Sequence, residues 1–228
     1  MSDAAHLSPW TEADAARLAA CRAHVELRKQ QPLTPPLEVS VTFRPVFGPD
    51  ELMLAAGPFE LLNFQAVGDG SYRRGGAFFL GTGPVGLAAT GVVAAATYAT
   101  NRSRKKKAQA DAQPRWVKVD AGHLIVSDRG FYLDTPSALH AWNYEDVHQV
   151  EMAGPGELLL AGRSAKGPVR WILRSPWAEL VFVLWVNRYQ PQHPQLGSGA
   201  WLPPGWIEHV RAHGKAGPVE GAGRLIDR

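Results

Sequence analysis

Hydrophobic and polar positions change their period along this chain, and the changes mark its elements. Over residues 8–31, Leu18, Cys21 and Val25 form a thin apolar stripe at helical spacing. Ser8 or Thr11 can cap this helix, Pro9 suits its first turn, and Thr11 with Asp14 has capping-box spacing. Gln30–Pro36 ends it with three prolines. Leu37–Phe43 alternates with period two and reads as a half-buried strand, Leu61–Val67 reads as another, and Gly68-Asp69-Gly70 is a turn.

From Trp116 onward the strand signals are dense. Trp116–Asp120 alternates and ends at Ala121-Gly122; His123–Ser127, Phe131–Asp134, Ala141–Met152, Glu157–Leu160 and Val169–Arg174 follow. Asp128-Arg129-Gly130, Gly154-Pro155-Gly156 and Lys166-Gly167-Pro168 are the turns between them, a spacing that predicts an antiparallel sheet or partly closed barrel. The period then becomes helical. Ser175 is placed as N-cap and Pro176 as first helical residue, and Trp177–Tyr189 is apolar on nearly every side, as a buried helix is. Trp201–His213 predicts a short helix after Pro203-Pro204.

Composition agrees with a globular chain: 45% apolar and 20% charged, with Gly (23) and Pro (18) supplying many turns. The net charge is only +3, and the basic excess is one run, Arg102 to Lys107, without interleaved aromatics. That distribution argues against nucleic acid as a partner. Cys21 is the only cysteine, so no intramolecular disulfide forms. Met1–Pro9 lacks the basic and apolar regions of a secretory signal, which points to the cytoplasm or the cytoplasmic face of a membrane.

Two stretches carry the resemblance to a family. Gly122-His123-Leu124-Ile125-Val126-Ser127-Asp128-Arg129-Gly130-Phe131-Tyr132 resembles the strand-turn-strand of bacterial pleckstrin-homology-like and GRAM-like proteins, with Ser127 where Thr is usual. Trp142-Asn143-Tyr144-Glu145-Asp146-Val147 resembles the segment that follows in them, and the upstream apolar segment with its basic run is similar to actinobacterial members. The resemblance covers about 75 residues and implies a binding or scaffolding module without catalysis; a fold alone does not fix a function.

Gly81, Gly83 and Gly86 match the dinucleotide-binding pattern G-x-G-x-x-G between a strand-like and a helix-like stretch. No acidic-ended second strand or βαβ repeat follows, so the motif reads as a decoy and no cofactor is expected. The same region, Gly75 to Thr100, holds 26 uncharged residues, whereas a membrane helix needs about 20. Its Gly and Ala content and Pro84 suit a buried soluble helix equally well. Arg102, Arg104, Lys105, Lys106 and Lys107 follow it as a candidate contact for anionic lipid or a partner, at about 1 kcal/mol per basic residue near a membrane surface. His209 with His213, and Cys21 with His24, are incomplete metal-ligand spacings, so no metal site is expected. No catalytic motif or paired-carboxylate pattern is present, and no catalytic residue is assigned.

The sequence therefore predicts an α+β chain in five parts. Residues 1–36 are a helix and proline-rich linker, 37–74 short strands, and 75–114 a Gly/Ala-rich helical segment with the basic run. Residues 115–190 are a pleckstrin-homology-like sheet or partly open barrel capped by a C-terminal helix, and 191–228 are a Gly/Pro-rich tail. The expected function is a non-catalytic interaction module at the cytoplasmic face, anchored through 77–100. The alternatives are a soluble interaction domain with 77–100 in its core, and a nucleotide-dependent enzyme using Gly81–Gly86.

Overall fold

The computed structural model describes residues 9–65, 115–164 and 167–214. The chain divides into two units, Met1–Leu62 with Lys118–Arg228, and Asn63–Val117.

The chain is α+β. Its strands are β1 (Met53–Gln65), β2 (Arg115–Ser127), β3 (Gly130–Asp134), β4 (Leu139–Asn143), β5 (Val147–Gly154), β6 (Glu157–Ser164) and β7 (Gly167–Arg174). They form one open antiparallel sheet in the order β4-β3-β2-β1-β7-β6-β5. A 3-10 turn, Tyr144–Asp146, joins β4 to β5. The helices are α1 (Glu12–Arg28), α2 (Ala178–Tyr189), α3 (Pro194–Ser198) and α4 (Trp206–Ala212).

Local chemistry explains the helix ends. The Thr11 hydroxyl accepts from Asp14 N–H at 3.2 Å while the Asp14 carboxylate accepts from Thr11 N–H at 2.9 Å. The predicted capping box is thus formed, and both orphan donors are satisfied. The closing helix starts two residues later than expected, so Ser175 is not its N-cap and Pro176 is not its first helical residue. The Ser175 hydroxyl accepts from Trp177 N–H at 3.2 Å, making a turn ahead of α2 rather than its cap.

Every residue of α2 from Ala178 to Val186 is buried. The helix packs on β5 and β6 and against α1. Fully burying side chains such as Leu180, Phe182 and Leu184 contributes about 1.5–3 kcal/mol each. The buried face of α1 is made mostly of Ala16, Ala19, Ala20 and Ala23, with Cys21, instead of the expected Leu18-Cys21-Val25 stripe. Small side chains let two helices approach closely, so the face reads as weakly apolar.

The sheet also departs from the expected strands. Leu37–Phe43 forms no strand; it belongs to an irregular strap that runs to Leu52. Phe43 and Phe47 of this strap lie 4.7 and 5.1 Å from the Tyr132 ring, covering that face of β3. The strand expected at Leu61–Val67 begins at Met53 and lies between β2 and β7. The sheet therefore draws its middle strand from before residue 115, where the domain was expected to start. β2 continues through Ala121-Gly122 instead of turning, because Gly122 has no Cβ to strike the Asp134 carbonyl of β3.

Among the described residues no helix is long and apolar enough to cross a membrane. The Gly75–Thr100 segment and the basic run lie outside the described residues.

Candidate functional site

A cleft of about 560 Å³ is lined by residues of β1, β2, β3, β4, β6 and β7. Its floor is Phe59 and Leu61 of β1 and Leu133 of β3, all buried. Trp142 of β4 and Trp171 of β7 form its wall, edge to face with centroids 4.9 Å apart. Register explains the placement: Trp142 lies opposite Phe131 and shares its face, so alternation turns both inward. Val119 and Leu139, 43% and 39% exposed, carry apolar surface to the rim.

The polar lining is mixed. Asp120, His140, Asp146 and Arg163 stand at the cleft, and the Asp120 carboxylate accepts from Ala121 N–H at 2.9 Å. The hydroxyls there are held by turns: Thr135 donates to the Ala138 carbonyl at 2.9 Å and Ser164 to that of Gly167 at 3.0 Å. The apolar floor and tryptophan wall suit holding an apolar or extended group.

The turn from β2 to β3, which carries the family resemblance, serves the strap. Arg129 donates to the Phe47 carbonyl at 2.9 Å, and Leu52 N–H donates to Asp128 at 2.9 Å. Gly130 has no Cβ to strike the Trp142 carbonyl, so β3 and β4 can pair closely. These are fastening roles. Tyr132 adds one more: its hydroxyl donates to Glu51 at 2.7 Å and accepts from Val46 N–H at 3.0 Å. Burial and the neighbouring Glu51 carboxyl push its pKa up to about 12.

A second polar cluster lies between the helices. Arg17 Nε donates to Glu179 Oε1 at 2.8 Å, and Gly156 N–H donates to the same oxygen at 2.9 Å. Burial raises the Glu179 pKa, and Arg17 pulls it partly back. Arg17 also pairs with Asp14 at 3.1 Å and lies over the Trp206 ring at 5.7 Å. Burial alone would raise Asp14, but the Thr11 hydrogen bonds, with His209 and Arg17, bring it below its ordinary value.

The sequence candidates fall as follows. Gly81, Gly83, Gly86, Arg102, Arg104, Lys105, Lys106 and Lys107 lie outside the described residues. Cys21 is fully buried, with its thiol pushed up to about 12 chiefly by burial. His24 Nδ1 meets Asn187 Oδ1 at 3.1 Å, and burial lowers its pKa. His209 stacks on Trp10 at 5.6 Å, and His213 Nδ1 contacts the His209 carbonyl at 2.9 Å. Among the described residues no group of three or more His, Cys, Asp or Glu could hold a metal ion. Sequence reading missed the cleft, because its lining comes from six strands whose order no local period encodes.

Comparison of the chain with protein-family models finds no match, and comparison with curated proteins finds none either.

Proposed function

We propose that this chain is a non-catalytic, pleckstrin-homology-like interaction module that works at the cytoplasmic face of a membrane. The strand order β4-β3-β2-β1-β7-β6-β5, with the apolar helix α2 next in the chain, supports the reading. So does the placing of the apolar segment and basic run between β1 and β2.

That placing also limits how the module attaches. β1 and β2 are neighbours in one sheet, so Gln65 and Arg115 lie on the same side of any bilayer. A single crossing by the intervening residues would put two hydrogen-bonded strands on opposite sides. Attachment through residues 77–100 must therefore enter and leave by one face, with Arg102 to Lys107 held at anionic headgroups.

Flotation of the full-length protein with phosphatidylserine-containing vesicles tests this reading. The full chain rises with the vesicles, and neutralising Arg102, Arg104, Lys105, Lys106 and Lys107 to Gln weakens the association and its salt dependence. Recovery of the unaltered chain in the soluble fraction, with no vesicle binding at low salt, rejects the membrane part of the proposal.

A further inference from the structure

The two edges of the sheet are treated differently. The β5 edge is closed off. Gln195 accepts from Met152 N–H and donates to the Met152 carbonyl, both at 2.9 Å, as a neighbouring strand would. His193 Nε2 meets the Val150 carbonyl at 3.2 Å, and register shifts at Val147/Gln149 and Met152/Gly154 distort that strand. Bulges and covering segments are the usual protections of an edge.

Among the described residues the β4 edge has none of these. Leu139-His140-Ala141-Trp142-Asn143 contains no Pro, Lys or Arg, pairs with β3 in unbroken register, and leaves Leu139, His140 and Ala141 exposed. It also borders the cleft of Trp142 and Trp171. An open edge beside an apolar cleft is the arrangement that strand addition uses: main-chain groups pair, and alternate side chains find pockets.

Charge selects the occupant. Asp134 lies opposite Leu139 in the ladder, Glu145 and Asp146 follow β4 directly, and Asp120 lines the cleft. Asp134, Glu145 and Asp146 are exposed, and none enters an ion pair among the described residues. Among the described residues Arg163 is the one guanidinium lining the cleft, with His140 beside it and His123 opposite Asp134. Asp120 and Asp146 line the cleft with it, and Asp134 and Glu145 stand on the adjoining strand and turn. A second copy of this chain would bring the same carboxylates against these, whereas a basic segment meets them favourably.

We infer that β4 is a docking edge for an extended peptide in which basic and apolar residues alternate. Its backbone pairs with β4, its apolar side chains enter the Trp142–Trp171 cleft, its basic side chains meet Asp134 on the other face, and Asp146 adds negative potential at the cleft. This inference uses only the sheet and is independent of membrane attachment.

The test titrates the full-length protein into a fluorescent Lys-Val-Lys-Val-Lys-Val-Lys peptide and follows anisotropy without vesicles. A Glu-for-Lys peptide and a Lys-Lys-Lys-Lys-Val-Val-Val peptide are the controls. The alternating Lys peptide binds at least tenfold tighter than either control and slows amide exchange at residues 139–143. Ala141→Lys, at an exposed site, and the pair Asp134→Asn with Asp146→Asn each weaken it at least tenfold. Equal binding of the two Lys peptides, or no effect of either variant, overturns the inference. So does a concentration-dependent dimer that protects 139–143 without peptide, which assigns the edge to a second copy.

Discussion

Trp177 lies directly over Gly57. Its indole N–H donates to the neighbouring Ala56 carbonyl at 3.0 Å, and a Cβ on Gly57 would sit 2.7 Å from the indole nitrogen. The contact fixes the start of the closing helix on the middle strand of the sheet. Gly57→Ala is therefore expected to push the indole off its site at a cost of about 1–3 kcal/mol, the usual range for overpacking. Urea unfolding followed by tryptophan fluorescence measures it; an unchanged midpoint would place Trp177 elsewhere.

The Arg17–Glu179 bridge holds α1 to α2 through a carboxylate with no exposed surface. Arg17→Met leaves that charge with backbone N–H groups alone, that of Gly156 among them, and is expected to cost about 3 kcal/mol or more, as removal of one member of a buried pair does. Adding Glu179→Gln should restore part of the loss. Chemical denaturation of the two single variants and the double variant gives the coupling between them.

The pH dependence of Glu179 has a definite sign. Its folded pKa is raised above 4.5 by burial, so the folded chain holds this proton more tightly than the unfolded chain. The stability it contributes is complete below pH 4.5 and is lost as pH rises through the folded value. Asp14 and His24, both lowered in the fold, slope the other way: stability falls as pH drops below 3.8 for Asp14 and below 6.5 for His24. Both remain in Glu179→Gln and cancel in the comparison. Unfolding free energy of the unaltered chain minus that of Glu179→Gln should therefore fall as pH rises from 4.5; a flat difference rejects the buried carboxyl.

Tyr132 fastens the strap through both roles of its hydroxyl. Tyr132→Phe keeps the ring contacts with Phe43 and Phe47 but leaves Val46 N–H and Glu51 Oε2 without this partner. A loss of about 1–3 kcal/mol follows from stranding such groups. Limited proteolysis should cut residues 41–52 faster in the variant. Equal cleavage rates would mean that Arg129 and Asp128 hold the strap unaided.

Helix starts and hairpin turns were legible in the sequence because local chemistry fixes them. Thr11 and Asp14 announce their capping box, Asp128-Arg129-Gly130 and Gly154-Pro155-Gly156 sit at real turns, and the change of period near Ser175 marks α2. The middle strand was half hidden, since Gly57-Pro58 reads as a break unless Trp177 is known to lie above it. The alanine face of α1 gave no strong stripe, although α2 supplies the large side chains it packs against. The strap could not be anticipated from Leu37–Phe43, whose alternation is satisfied by an irregular segment fastened to Tyr132, Asp128 and Arg129. Neither could the β4 edge: that Leu139–Asn143 ends the sheet follows from strand order, which depends on contacts distant in sequence.

On the proposed function, the sheet closed by α2 folds without residues 66–114, which serve for attachment. Joining Gln65 to Arg115 through Asn-Gly, a two-residue hairpin turn, removes the insertion and leaves both strands. Thermal unfolding of this variant, followed by circular dichroism, is the most direct measurement. The expected result is a single cooperative transition in a protein that no longer associates with anionic vesicles. A variant without a cooperative transition would contradict it and assign residues 66–114 to the core.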